Sequence, residues 1–386
     1  MNLKDKLKGI VMQDIPLISL KRKAQITEWK KQIMEGAIAV IWGAGVMGER
    51  CYRYLEALEI PVSFIVDTYK RGTFLNERIS IFSQEELEKY NPDKIICFVA
   101  VGGGVFEVIK KELDKKNIFN IVSDNYLDFY LESISIMVRE DIDKIINNII
   151  SGIELFDDNE SIMIYWRHLQ DYFLTSEHCL NFNWTDMAIP NQYFTNECVG
   201  IEKDEIIIEC GSFIGDSIKE LLEIMKRDDF KLYYCFEMNK NNFKKLESYL
   251  YNQSPQIQKK FICINKGVAD NNRYIGYINS SITSALTEGK CDEYVEIVAL
   301  DTINEVSNCS FIKMDIEGSE KAAIKGAKRL ISNNKPKCAI CTYHYVADLW
   351  EIPLLLQSIV PEYNFLLRHH SNGWSETVCY ASIFSE

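Results

Sequence analysis

Short apolar runs that end at an acid recur along the chain, and stretches with helical spacing separate them. The first series starts at Ala37-Ile-Ala-Val-Ile-Trp42, which runs into Gly43-Ala-Gly-Val-Met-Gly48. A helix follows, with Cys51, Tyr54, Leu55 and Leu58 on one face. Pro61–Asp67 is the next strand, Ile95–Val101 a buried one, Gly102–Gly104 a flexible turn, Val105–Lys116 a helix and Ile118–Val122 a last strand. The second series starts at Glu205-Ile-Ile-Ile-Glu-Cys-Gly-Ser-Phe-Ile-Gly-Asp216, with Ile218, Leu221, Leu222 and Met225 on one face of the helix behind it. Lys231–Glu237, Phe261–Asn265, Val295–Leu300, Phe311–Asp315 and Lys337–Tyr343 read as further strands. Ser319–Ser332, capped by Ser319 and lined by Ala323, Ala327, Leu330 and Ile331, and Leu349–Ile359 read as helices.

Strands alternating with helices predict open, mostly parallel sheets. The fold class is therefore α/β, with two Rossmann-like domains. A helical lead-in covers 1–35, and its Trp29, Ile33 and Met34 pack on the adjoining domain. A small nucleotide-binding type domain covers 36–125. A helical connector over 126–190 carries apolar residues at helical spacing in Ile134–Ile150 and Ile162–Phe173. A second α/β domain covers 191–386.

Candidate chemistry collects where strands meet glycines. Gly211 lets the backbone turn sharply and approach a ligand, and Gly215 lets helix and strand pack closely. Glu209 stands at the end of its strand, where open α/β sheets bind ligands. Glu237 follows at the spacing of about 20 residues at which a carboxylate meets a ribose in nucleotide-binding units. In the first series Gly43, Gly45, Gly48 and Asp67 repeat that order and form a second candidate nucleotide or dinucleotide site, with Lys70 and Arg71 read as a solvated basic turn. Tyr90 and Lys94 have the spacing of a catalytic Tyr–Lys pair, but Pro92 between them argues against one helix presenting both. Binding is favoured there over redox chemistry.

Glu209-Cys-Gly-Ser-Phe-Ile-Gly-Asp216, Cys235-Phe-Glu237, Phe311-Ile-Lys-Met-Asp-Ile-Glu-Gly-Ser-Glu320 and Thr342-Tyr-His344 together resemble the FkbM family of S-adenosylmethionine (SAM) dependent methyltransferases. Gln192-Tyr-Phe194 and Trp374-Ser-Glu-Thr377 are also similar to that family, though Glu209 stands where the family more often has Asp. The resemblance spans about 185–386. It implies a class I methyltransferase type domain closed by an antiparallel pair, Tyr363–Leu367 with Thr377–Ile383. It implies SAM as cofactor, with Glu209, Gly211, Gly215, Asp216, Glu237, Asp315 and Tyr193 around it. Asn265–Val268 would lie at the adenine end, with Ser280–Gly289 as a loop over the site. The N-terminal domain resembles the small Rossmann-type domains that precede sugar-modifying enzymes in bacterial polysaccharide systems.

Composition narrows the field. The 386 residues carry a formal net charge of −13, which argues against a general nucleic-acid partner. The 12 cysteines follow no framework spacing, and alternation in Lys337-Cys-Ala-Ile-Cys341 puts Cys338 and Cys341 on opposite strand faces as buried thiols. Reduced cysteines, no signal peptide and no apolar run of about 20 residues imply a cytoplasmic protein without a membrane span. His168 and His178 are too isolated to be ligands.

A sulfonium methyl is already electrophilic, so the protein needs chiefly to align an acceptor and assist its deprotonation. Asp315, Glu317 and His344 lie at or beyond strand ends on the site's side, and His344 is the best proton acceptor by its ordinary pKa. These three could hold a metal, but they equally serve base and orienting roles, and no metal is assigned. The expected activity is O-methylation of a sugar hydroxyl on a glycan or nucleotide-sugar precursor. The alternatives are a nucleotide-sugar binding protein with a vestigial methyltransferase half, or a dinucleotide-dependent sugar enzyme. The sequence leaves the oligomeric state open.

Overall fold

A computed structural model describes residues 2–75, 77–102, 105–123, 127–181, 183–195, 197–279, 284–287 and 293–383. The chain divides into two compact units. One comprises Ile10–Asn147 and Asp171–His178, and the other Met1–Gly9, Asn148–Gln170 and Cys179–Glu386. The helices Leu127–Arg139, Ile142–Glu154 and Asn159–Gln170 are thus shared out between the units. The described cysteines are free thiols. Among the described residues no helix is long and apolar enough to cross a membrane.

The first unit is built on strands β1 (Ile38–Trp42), β2 (Val62–Val66), β3 (Gly72–Phe74), β4 (Ile79–Phe82), β5 (Ile95–Val99) and β6 (Ile121–Val122). They line up as β3-β4-β2-β1-β5-β6, parallel except for the β3–β4 hairpin. β1 and β5 are apolar at nearly every position because both their faces are covered. From helix Leu3–Met34, Trp29 reaches the core and meets Phe98 edge-on at 5.0 Å. Ile33 packs at the margin, whereas Met34 is 81% exposed and contributes nothing to that core. Two glycines of the turn after β1 are required sterically. Gly43 has φ +120°, and a Cβ there would stand 2.4 Å from the Ala100 carbonyl oxygen; a Cβ on Gly48 would stand 1.9 Å from that of Gly43. Gly103 and Gly104 of the expected Gly102–Gly104 turn lie outside the described residues.

The second unit contains β7 (Ile206–Cys210), β8 (Leu232–Phe236), β9 (Phe261–Ile264), β10 (Gly267–Val268), β11 (Arg273–Asn279), β12 (Ser284–Thr287), β13 (Glu293–Val298), β14 (Phe311–Met314), β15 (Lys337–Cys341), β16 (Asn364–His369) and β17 (Thr377–Ser382). Seven of them form one sheet in the order β16-β17-β15-β14-β7-β8-β9. All neighbours are parallel except β17, which runs against β15 and β16. The closing antiparallel pair is as the family resemblance implies. β10–β13 make a separate four-stranded sheet inserted ahead of β14. Residues 280–283 and 288–290 of the expected loop lie outside the described residues, and 284–287 within it form β12.

The order of this sheet positions the site. The chain enters at β7, steps outward through β8 and β9, then returns to the other side of β7 as β14 and steps outward again through β15. Beyond the carboxyl ends of β7 and β14 the connections diverge, which opens the crevice where such sheets bind ligands.

Three local elements differ from the sequence reading. The helix after Gly215 is a single turn, Asp216–Lys219, that passes into a π turn, Glu220–Ile224, yet Ile218 and Leu221 are buried as expected. Ser319 makes no side-chain cap, having φ −92° and ψ 4°; the Glu320 carboxylate instead accepts the Ile316 N–H at 2.8 Å. The helix it starts breaks at Ala327 into Glu320–Gly326 and Lys328–Asn334, while Ala323, Ala327, Leu330 and Ile331 face inward. β15 ends at Cys341, so His344 sits on the loop beyond it rather than at the strand's tip.

Candidate cofactor and active site

Gly211 leaves β7 with φ +81°, and a Cβ on it would stand 1.8 Å from the Asp315 carbonyl oxygen. Only glycine lets the β7 turn lie this close to the end of β14. The contact is fastened from inside the sheet. Glu209 of β7 and Lys313 of β14 are register partners, both buried, with Lys313 Nζ 3.1 Å from Glu209 Oε1 and donating to the Gly211 carbonyl at 2.9 Å. Tyr233 on β8 donates to Glu209 at 3.0 Å. Burial pushes the Lys313 pKa down, but Glu209 and Asp315 outweigh it and hold the ammonium above its ordinary value. Glu209, 0% exposed, thus anchors Lys313 beneath the turn.

Glu237, 7% exposed, follows β8. Its Oε2 accepts the Phe213 N–H at 2.8 Å and its Oε1 the Asn239 N–H at 2.7 Å. Burial is the largest influence on this carboxyl and pushes its pKa up to about 7 despite these two donors. A carboxylate has about four acceptor positions, so two remain for ligand hydroxyls. Asp216 stands in the first turn after Gly215.

Asp315, just past β14, is held by two phenols. Tyr193 donates to Oδ2 at 3.0 Å and Tyr343 to Oδ1 at 3.2 Å. Burial raises its pKa, but Lys313, His344 and these hydroxyls outweigh it and keep the group below its ordinary value. The Tyr343 hydroxyl also lies 3.3 Å from Glu376, which accepts from Gln192 at 2.6 Å.

His344 is 8% exposed and ringed by carboxylates. Nδ1 is 3.1 Å from Glu320 Oε1, while Nε2 is 3.5 Å from Asp315 Oδ1 and 3.8 Å from Glu317 Oε2. Burial alone would lower its pKa; Glu320, Asp315 and Glu317 together raise it to about 10. Three carboxylates favour the protonated ring by more than burial disfavours it.

The backbone is strained along this edge. Tyr193 (φ +70°), Phe213 (φ +47°), Glu317 (φ +55°) and Glu376 (φ +70°) are all left-handed without being glycine. Such conformations persist where surrounding structure enforces them and collect at ligand sites. Glu209, Gly211, Glu237, Tyr193, Asp315, Glu317 and His344 thus gather around one switch point. Sequence reasoning missed Lys313, Glu320 and Tyr343. Lys313 had a signal, a lone charge inside an apolar strand, which needs a buried counter-ion.

In the first unit the other candidate set also comes together. Asp67 Oδ2 accepts the Ala44 N–H at 2.8 Å, and Oδ1 accepts those of Tyr69 and Lys70 at 2.8 and 2.9 Å. Lys70 Nζ donates to the Ala44 carbonyl at 2.7 Å. Arg71 donates to the carbonyls of Asp67 and Lys70. A Cβ on Gly45 would meet nothing within 4 Å.

A mostly parallel sheet with a glycine turn after one central strand and carboxylates beyond the ends of its neighbours defines an open α/β domain with a crevice at its switch point. Residues 209–368 match the methyltransferase FkbM domain. Among solved structures, the chain is similar to the methyltransferase FkbM from Methylobacillus flagellatus KT at 20% identity. The match covers 94% of this chain and 100% of that one with a TM-score of 0.57, a likeness of fold. The methyltransferase domain of bacterial CtHen1-C is a more distant match, with 9% identity, 47% of this chain and 90% of that one covered, and a TM-score of 0.31. No curated protein matches the chain.

Proposed function

We propose that the second unit is a SAM-dependent O-methyltransferase that acts on a sugar hydroxyl of a glycan or nucleotide-sugar precursor in the cytoplasm. The observation that carries the reading is the convergence of Gly211, Glu237 and Asp315 on the β7–β14 switch point within the stretch that matches the methyltransferase domain. The donor set suits the cofactor. Glu237 offers acceptor positions for a ribose diol, and Asp216 and Asp315 offer negative charge to a ligand that is cationic at its sulfonium and amino groups.

Bound SAM would supply an electrophilic methyl group, and the chain's own residues would do the rest. Glu237 binds, and Gly211 allows close approach of the backbone. Asp315, kept ionised, accepts the hydrogen bond of the acceptor hydroxyl and takes its proton as the new bond forms. His344 holds Asp315 from the other side, and Tyr193 and Tyr343 fix its two oxygens. The left-handed residues keep these groups in place before any ligand arrives. Titration calorimetry of the full chain with SAM and with its demethylated product tests the reading; a folded chain that binds neither would overturn it. For the first unit we read the Gly43–Gly48 turn as fold-bearing, because Asp67 already takes three backbone donors. A panel of NAD(P) and nucleotide-sugars in native mass spectrometry tests that reading in the same samples.

A further inference from the structure

We propose that Asp315, Glu320 and His344 form a binding site for a divalent first-row metal ion. One ligand atom from each of the three lies within 4.8 Å of the others. The sequence placed Glu317 beside Asp315 and His344; the fold adds Glu320 on the other ring nitrogen. Glu317 stays at the margin, 3.8 Å from the imidazole with its side chain 58% exposed.

Glu320 is the observation that points to an ion. It is 0% exposed. Its Oε1 takes the Ile316 N–H and faces the imidazole. Its Oε2 is buried and has no hydrogen-bond partner. A buried carboxylate oxygen calls for a donor or a cation. The lysines nearby are committed elsewhere: Lys313 to Glu209, and Lys321 to Asp348 and Glu351. Glu317 and Glu320 share the imidazole of His344 with Asp315, which also has Lys313 and two phenols beside it. Asp315 Oδ1 stands 3.5 Å from Nε2 and Glu320 Oε1 3.1 Å from Nδ1, so the carboxylates flank the ring and an ion would take one of its two nitrogens.

Two carboxylates and an imidazole suit Mn²⁺ or Zn²⁺ better than Ca²⁺, which prefers oxygen alone. The proposal rests on the methyltransferase reading only for what the ion would serve, polarising an acceptor hydroxyl at the end of β14. Binding itself needs no cofactor.

The test uses the full chain, stripped with EDTA and free of SAM. Mn²⁺ is titrated with electron paramagnetic resonance readout and Zn²⁺ by calorimetry, and the melting temperature is followed with each. The expected result is saturable, equimolar binding that raises the melting temperature and is reversed by EDTA. Glu320→Gln and His344→Gln should each weaken it by more than about tenfold, with circular dichroism unchanged. Glu317→Gln should weaken it far less. Absence of saturable binding to the folded wild type would overturn the proposal, as would binding that survives both substitutions in folded protein. If either variant does not fold, the wild-type titration and its melting shift decide alone. SAM binding without metal binding removes the ion and keeps the methyltransferase; metal binding without SAM binding does the reverse.

Discussion

Replacing Glu237 by Gln separates a residue kept for a ligand from one kept for stability. Glu237 is nearly buried, and its pKa stands at about 7 against an ordinary 4.5. At about 1.4 kcal/mol per unit, holding it ionised at pH 8 costs about 3 kcal/mol relative to the unfolded chain. Gln removes that cost. It also turns one charge-assisted hydrogen bond, to Phe213 or Asn239, into two facing donors, a loss of about 1.5–3 kcal/mol. The two terms nearly cancel, so urea denaturation of Glu237→Gln at pH 8 should give a stability within about 1–2 kcal/mol of wild type. Cofactor affinity has no such compensation. Losing a carboxylate acceptor for the ribose should weaken SAM by about 10- to 100-fold in calorimetry, the same 1.5–3 kcal/mol read as binding. The pH dependence carries the sign. Between pH 4.5 and 7 the folded chain holds more protons than the unfolded one at Glu237, so this group adds stability as pH falls through that window. SAM binding runs the other way and should weaken below about pH 7 in wild type, while the Gln variant stays flat. A Gln variant that binds SAM at pH 8 as tightly as wild type would refute the assignment of Glu237 to the cofactor.

Three further substitutions probe the frame around it. Lys313→Met should destabilise the second unit by about 3–5 kcal/mol in denaturant melts, because it strands the buried Glu209 carboxylate; adding Glu209→Gln should recover part of the loss. Gly48→Ala should unfold the first unit, since its Cβ would collide with the Gly43 carbonyl. Gly45→Ala should leave stability within about 0.5 kcal/mol. His344→Gln should keep SAM affinity and lower kcat, because Asp315 loses the group that holds it, and unchanged turnover would remove His344 from the site.

The buried parallel strands were legible because their runs are mainly apolar and stop at an acid or a glycine, whereas β3, β4, β10, β11 and β12 were not read as strands. Ile206–Cys210, Leu232–Phe236 and Phe311–Met314 fall inside the runs read from the sequence. Helix detail was less legible. The π turn at Glu220–Ile224 and the break at Ala327 depend on tertiary contacts, such as Gly326 packing where a Cβ would stand 2.1 Å from the Ala269 carbonyl oxygen. The site was legible as a set of strand-end acids, because topology alone brings strand ends together. The surroundings of His344 were not, because Glu320 reaches the ring from a following helix. Nothing in the spacing of Lys-Met-Asp-Ile-Glu-Gly-Ser-Glu tells which of Glu317 and Glu320 turns inward. The fold decides it through the left-handed backbone at Glu317 and Gly318.

The two units make the same clamp and differ in what surrounds it. In each, a carboxylate past the second strand accepts one N–H from the glycine turn and another from two residues beyond itself: Asp67 from Ala44 and Tyr69, Glu237 from Phe213 and Asn239. The clamp belongs to the architecture, since it fixes a tight turn against its neighbouring strand whether or not anything binds. Asp67 adds a third donor from Lys70, and its pKa lies below its ordinary value because backbone donors outweigh its burial. It is electrostatically satisfied. Glu237 is pushed the other way, because its burial outweighs its two backbone donors. Around it stand Asp216, the phenol-bound Asp315 and a row of left-handed residues. Glycine spacing followed by an acid therefore marks the fold in both units. A buried carboxylate pushed upward in a crevice marks a candidate ligand site. The proposed SAM site in the second unit has a differential test: wild type should gain thermal stability with SAM, and Asp67→Asn should leave that gain intact while Glu237→Gln reduces it.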